Sequence, residues 1–164
     1  MSKAVVSKIP WAFFILFTAV VCFMIRPAGA EMRFFKGQTV YVPLYSHIYS
    51  GNREQPFYLA ATLSIRNTDM QHAIRLTVVD YYDSEGNFLK HYLDKTLTIN
   101  AMATKRYVVP ESDKSGGSGA KFIVRWQADK PVVEPLIESV MISTKTQQGI
   151  SFTSRGRVLD TISK

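Results

Sequence analysis

The sequence predicts an all-β protein built from two packed antiparallel sheets, on three observations. Apolar and polar residues alternate one by one in several short runs, the mark of strands that bury one face. Turn-forming residues separate those runs. No window between Glu31 and Lys164 shows apolar residues at helical spacing. Many short, one-sided strands bounded by turns point to an Ig-like antiparallel β-sandwich of about seven to nine strands.

The residues before Glu31 have a different character. Lys3 and Lys8 give a basic start, Ile9 to Ile25 is almost unbroken in its apolarity, and Ala28-Gly29-Ala30 supplies small residues after Arg26-Pro27. That order is the pattern of a secretory signal peptide, residues 1–30, cleaved after Ala30. The apolar run is also about long enough to span a bilayer as an uncleaved anchor. Membrane contact is expected only through this segment. Cys22 is the single cysteine, and Val21 precedes it where a lipid-attachment site needs a small residue. The remaining 31–164 segment, read as one domain, then has no thiol for a disulfide, a nucleophile or a metal. Its core must hold it together in a periplasmic or secreted setting.

The whole chain carries 20 basic and 13 acidic residues, a net +7. Lys3, Lys8 and Arg26 belong to the leader, which leaves seventeen against thirteen, or +4. The basic residues are scattered, whereas a nucleic-acid surface needs them gathered on one face with aromatics between them. No nucleic-acid partner is expected.

The first alternating run places Val40, Val42 and Leu44 on one side. The next places Phe57, Leu59, Ala61, Leu63 and Ile65 together. Ile74, Leu76 and Val78 follow, with a slip near Val79 that suggests a bulge. Leu97 and Ile99 alternate with threonines, and Pro110 closes another strand. Phe122, Val124 and Trp126 form the next run, then Ile137 to Thr144 and Ile150 to Ser154. Asn67-Thr68-Asp69 has side chains that bond to nearby backbone and reverse the chain. Asp83-Ser84-Glu85-Gly86-Asn87 puts a glycine where a hairpin needs positive φ. Pro131 and Pro135 bracket a further connection.

Several motifs invite a chemical reading. Gly116-Gly117-Ser118-Gly119-Ala120 approaches G-x-S-x-G, and Lys114-Ser115 stands nearby. A phosphate loop and a nucleophile elbow both open a helix. Here a strand follows, so a flexible connection is expected, with an anion-binding loop as the alternative. His47, His72 and His91 are too far apart for a local metal motif, and no metal or other cofactor is expected. Glu134 and Glu138 would lie about 13 Å apart on an extended chain, too far for a glycosidase pair unless Pro135 bends it. Asp83 to Asn87 lacks the distal glutamate of a calcium loop. Tyr45-Ser46-His47-Ile48-Tyr49 offers polar aromatics at a strand end, suited to recognition. In the C-terminal run, Ser151, Thr153 and Arg155 would share one face and Ile150, Phe152 and Ser154 the other. Hydroxyls beside a guanidinium suit a carboxylate or phosphate.

Taken together, Tyr41 to Tyr49, Thr62 to Asp69, Asp80 to Asp83, Gly116 to Gly119, Glu134-Pro135 and Gly149 to Gly156 resemble a bacterial domain-of-unknown-function family, DUF3124, of exported proteins. The resemblance covers nearly all of the chain after the leader. It implies an envelope or secreted protein without an established activity, and its motifs include His47, Tyr49, Arg66, Asp80, Trp126 and Arg155. Many relatives look like lipoproteins, a pattern that Cys22 does not fit well.

The expectation is a non-enzymatic, exported binding module. Its candidate ligand-binding residues are His47, Tyr49, Arg66, Asp80, Ser154 and Arg155, and no catalytic residue is assigned. The partner would be an envelope protein or a small anionic or carbohydrate ligand. Two alternatives stand beside it: a hydrolase or transferase site built around His47 and Asp80 with a serine, and a structural envelope component that pairs through an exposed sheet edge.

Overall fold

A computed structural model describes residues 33–49, 51–52, 54–143 and 149–162. The leader, its cleavage site and Cys22 lie outside the described residues, as does Thr144. Among the described residues there are twelve strands and no α-helix. They are β1 (Phe34–Pro43), β2 (His47–Tyr49), β3 (Pro56–Tyr58), β4 (Ala60–Arg66), β5 (Ile74–Tyr82), β6 (Phe88–His91), β7 (Leu97–Ile99), β8 (Thr104–Val109), β9 (Lys121–Val133), β10 (Leu136–Ser143), β11 (Ile150–Arg155) and β12 (Arg157–Ile162). The count exceeds seven to nine because short pieces of three or four residues, β2, β3, β6 and β7, add to the long strands.

Two sheets form the sandwich. One runs β12-β1-β9-β5-β6, with β7 also paired to β5; the other runs β11-β10-β4-β8; β2 and β3 form a separate hairpin. All pairings are antiparallel. Consecutive strands β4 and β5 enter opposite sheets, where they pair with β8 and β9. This is the interlock of B with E and C with F in immunoglobulin sandwiches. The outer positions differ, because β1 lies beside β9 and β10 lies beside β4.

The inward residues are those the alternation selects. Val42, Leu44, Leu59, Ala61, Leu63, Ile65, Ile74, Leu76, Phe122, Val124 and Trp126 are fully buried. Each large one contributes about 1.5–3 kcal/mol by leaving water, which is how a chain segment without cysteine is held. Tyr81, Tyr92 and Phe122 pack ring against ring, with centroids 5.2 Å apart for both Tyr81–Phe122 and Tyr92–Phe122. Burial and a hydrogen bond to Ser46 Oγ surround the Tyr81 hydroxyl; burial dominates and pushes its pKa up to about 12.

The slip near Val79 is a bulge. Leu76 pairs with Trp126 and Val78 with Arg125, so Thr77 is the extra residue. Its hydroxyl donates to the Arg125 carbonyl at 3.3 Å. The inward set therefore shifts phase, and Val79 and Tyr81 are buried while Val78 is only half-buried. Pro131 corrects an expectation. It lies inside β9 rather than in a connection. Between the pairs Gly37–Gln127 and Phe35–Val132, Lys36 alone stands opposite Ala128 to Pro131. A residue without an N–H is tolerated in such a bulged stretch.

Asn67 and Asp69 tie three loops together, as their residue types suggest. Asn67 Nδ2 donates to the carbonyls of His72 (2.8 Å), Asn100 (3.0 Å) and Ile99 (3.3 Å), and its Oδ1 accepts from Asp69 N–H. Asp69 accepts the backbone N–H groups of Gln71, His72 and Val133. Those donors, led by Gln71, hold the Asp69 pKa down at about 2 from an ordinary 3.8. A lowered carboxyl pKa stabilises the fold fully above the unfolded value, and the gain disappears as pH falls through the folded value. Solvent near this covered but peripheral group screens part of the effect, leaving on the order of 1–2 kcal/mol. Urea midpoints of the native protein and Asp69→Asn should therefore differ at pH 7 and converge between about pH 4 and pH 2. A gap that stays constant across that window would refute the carboxylate's role.

Candidate functional site

The glycine segment is a docked loop rather than a flexible connection. Ser84 N–H and Oγ–H both donate to the Gly116 carbonyl, at 2.9 and 3.1 Å, and Gly119 N–H donates back to Ser84 Oγ at 2.9 Å. Ser46 N–H donates to Gly117 carbonyl, and Leu44 N–H to Ala120 carbonyl. At Gly116 a Cβ would stand 1.9 Å from the Tyr81 hydroxyl, so only glycine allows this approach. The loop leads into β9, which leaves no helix for a phosphate loop or elbow.

This docking brings Lys114 to the aromatic hairpin. His47 and Tyr58 are register partners across β2 and β3. Their rings meet edge-on at 5.9 Å, and His47 meets Tyr49 edge-on at 5.2 Å. His47 Nε2 lies 3.3 Å from the Tyr49 hydroxyl, while its buried Nδ1 has no hydrogen-bond partner among the described residues. Lys114 Nζ sits 4.5 Å from the Tyr58 ring centroid, a cation–π contact. Tyr49 is 52% exposed. The result is a rim of rings with hydroxyl, imidazole and ammonium groups at hand. The strand-end run of polar aromatics from Tyr45 to Tyr49 made the His47–Tyr49 neighbourhood legible. Tyr58 and Lys114 were not anticipated, because the glycine loop gives no sequence sign of where it docks.

The other candidate residues lie elsewhere. On the outer face of the four-stranded sheet, register aligns Arg155, Glu138, Ser64 and Arg106 across β11, β10, β4 and β8. Arg66 reaches Glu138 at 3.4 Å and donates from Nε to Ser64 Oγ at 3.1 Å. Arg155 stands opposite Glu138 but makes no ion pair among the described residues. Ser151, Thr153 and Arg155 are exposed, whereas Ile150, Phe152 and Ser154 are partly covered, as alternation predicts. The Ser154 carbonyl accepts from Ser139 Oγ at 3.4 Å.

Asp80 belongs to a third place. It lies on β5 opposite His91 on β6, and its Oδ1 is 2.8 Å from His91 Nδ1. The anticipated His47–Asp80 pairing does not occur: the Asp83–Asn87 turn folds β6 against β5, so Asp80 engages His91, while His47 engages Tyr49. Counting outward from that turn would have put Lys90 opposite Asp80; a register shift between Tyr81 and Tyr82 brings His91 there instead. No serine or threonine hydroxyl bonds to either histidine among the described residues. His72 contacts Asp69 at 3.3 Å, so the three histidines have three different partners. Among the described residues, no cluster of three or more His, Cys, Asp or Glu is placed to hold a metal.

A cleft of about 330 Å³ opens where β9 passes to β10 and β11 to β12. Val40, Leu136, Ile137 and Val158 line it, with Thr68, Glu134 and Arg155 among its polar neighbours. Among the described residues no helix is long and apolar enough to cross a membrane.

These features define an all-β, two-sheet sandwich with its polar and aromatic candidates on loops and outer sheet faces. The chain belongs to the family described as protein of unknown function (DUF3124), whose model matches residues 37–159. Comparison with curated proteins finds none that matches. Among solved structures, the chain is similar to Thermotoga maritima 1070, at 12% identity and TM-score 0.40 over 73% of this chain and 92% of that one. It is also similar to the Anabaena sensory rhodopsin transducer, at 19% identity and TM-score 0.31 over 65% of this chain and 99% of that one. Likenesses this weak carry no inference about the present chain.

Proposed function

We propose that the protein is an exported, non-enzymatic binding module that takes an acidic carbohydrate on the rim formed by His47, Tyr49, Tyr58 and Lys114. The leader pattern of residues 1–30 supports export to the periplasm or beyond. The observation that carries the ligand class is the cation–π contact of Lys114 on Tyr58 beside the exposed Tyr49 ring. Aromatic faces stack on the apolar faces of sugar rings, while tyrosine hydroxyls and an imidazole bond their hydroxyl groups. The Lys114 ammonium adds selectivity for a carboxylate on the sugar.

Calorimetric titration with oligogalacturonate and a neutral hexose oligomer tests this reading. The acidic oligomer should bind at least about tenfold more tightly, equivalent to ~1.4 kcal/mol. Tyr49→Ala and Lys114→Ala should each weaken it by a similar factor and change unfolding stability by less than about 0.5 kcal/mol, since surface substitutions away from caps and core do little. Binding of neither oligomer, or undiminished binding by the Tyr49→Ala/Lys114→Ala double variant, would sink it.

A further inference from the structure

We propose that the cleft between the β9–β10 and β11–β12 corners binds a free apolar α-amino acid. This site is separate from the aromatic rim. Its floor is apolar: Val40 and Ile137 are buried core residues, and Leu136 and Val158 are half-buried beside them. Two exposed side chains of opposite charge, Glu134 and Arg155, line the same cleft. They do not pair with each other, and neither has an ion-pair partner among the described residues. Glu138, which could have neutralised Arg155 across the strands, is engaged by Arg66.

Both charges stand on fixed backbone. Thr68 Oγ1–H donates to the Glu134 carbonyl at 2.8 Å, and Gly156 N–H donates to the Ile137 carbonyl at 2.8 Å, next to Arg155. Binding then has to order only the two side chains and not the backbone beneath them. The sign pattern selects the ligand. A simple anion drawn to Arg155 would meet Glu134, and a simple cation drawn to Glu134 would meet Arg155. A zwitterion satisfies both, with its carboxylate accepting from the Arg155 guanidinium and its ammonium donating to the Glu134 carboxylate. The apolar floor then takes the side chain. A volume near 330 Å³ is at the small end for ligand pockets and suits one amino acid rather than a long peptide.

Calorimetry with leucine, N-acetyl-leucine and leucinamide tests the assignment. Leucine should bind, and each derivative, having lost one charge, should bind at least tenfold more weakly. Glu134→Gln should abolish the preference for leucine over N-acetyl-leucine, and Arg155→Gln the preference over leucinamide. Both residues are exposed, so thermal melts of the two variants should match the native protein. Tyr49→Ala should leave leucine binding unchanged, which separates this site from the rim. The assignment fails if leucine does not bind at millimolar concentration, if the derivatives bind as well as leucine, or if neither variant alters the preferences.

Discussion

Asn67→Ala is expected to lower unfolding free energy by about 3–4 kcal/mol, because each buried group left without its partner costs about 1–3 kcal/mol. The Asn67 side chain is buried, and its amide serves three carbonyls from two separate loops while its oxygen accepts the Asp69 N–H. Alanine would strand all of these. Asn67→Asp is the sharper variant. It keeps the shape and the acceptor for Asp69, yet replaces the donor with a second oxygen facing the carbonyls of His72, Ile99 and Asn100. It should be at least as damaging as alanine in denaturant melts. If Asn67→Asp were close to native in stability, the amide would not be the tie that its geometry indicates.

Gly116→Ala is expected to cost about 2–3 kcal/mol, in the range for overpacking a close-packed site. The new methyl would fall 1.9 Å from the Tyr81 hydroxyl and 2.8 Å from both Ser46 Oγ and the Ala120 Cβ. Tyr81→Phe removes the nearest of these atoms at the expense of the 3.0 Å bond with Ser46. The two substitutions should therefore couple. The double variant should be more stable than the sum of the single losses by about 1 kcal/mol or more, as interacting neighbours are in a double-mutant cycle. Strict additivity would mean that the loop moves away from β5 rather than pressing on it.

Much of the sandwich was legible because burial on one face imposes a period of two. Val40 to Leu44, Leu59 to Ile65 and Phe122 to Trp126 all sit as their alternation requires. What escaped was structure without a buried face. β12 is an edge strand whose residues are exposed or half-buried, and β6 is exposed along most of its length, so neither shows alternation. The run from Phe57 to Ile65 reads as one strand, yet it breaks at Leu59, whose N–H turns to the Ser46 carbonyl. The candidate site divides along the same line. His47 and Tyr49 are two apart on one strand, so local geometry brings them together. Lys114 joins them only through tertiary bonds from Ser46 and Ser84 to the glycine loop, which no local pattern encodes.

The place of β1 bears on how the chain reaches this state. Its Thr39 pairs with Arg125 on one side and with Asp160 on the other, so an early segment lies between two late ones. Loop-closure entropy must be spent before contacts so remote in sequence can form, and folds dominated by them assemble slowly. During synthesis β1 lies without either neighbour until β9, Lys121–Val133, has been made. Closure of this sheet therefore waits on the late strands, and it should be the slow step when the denatured chain refolds.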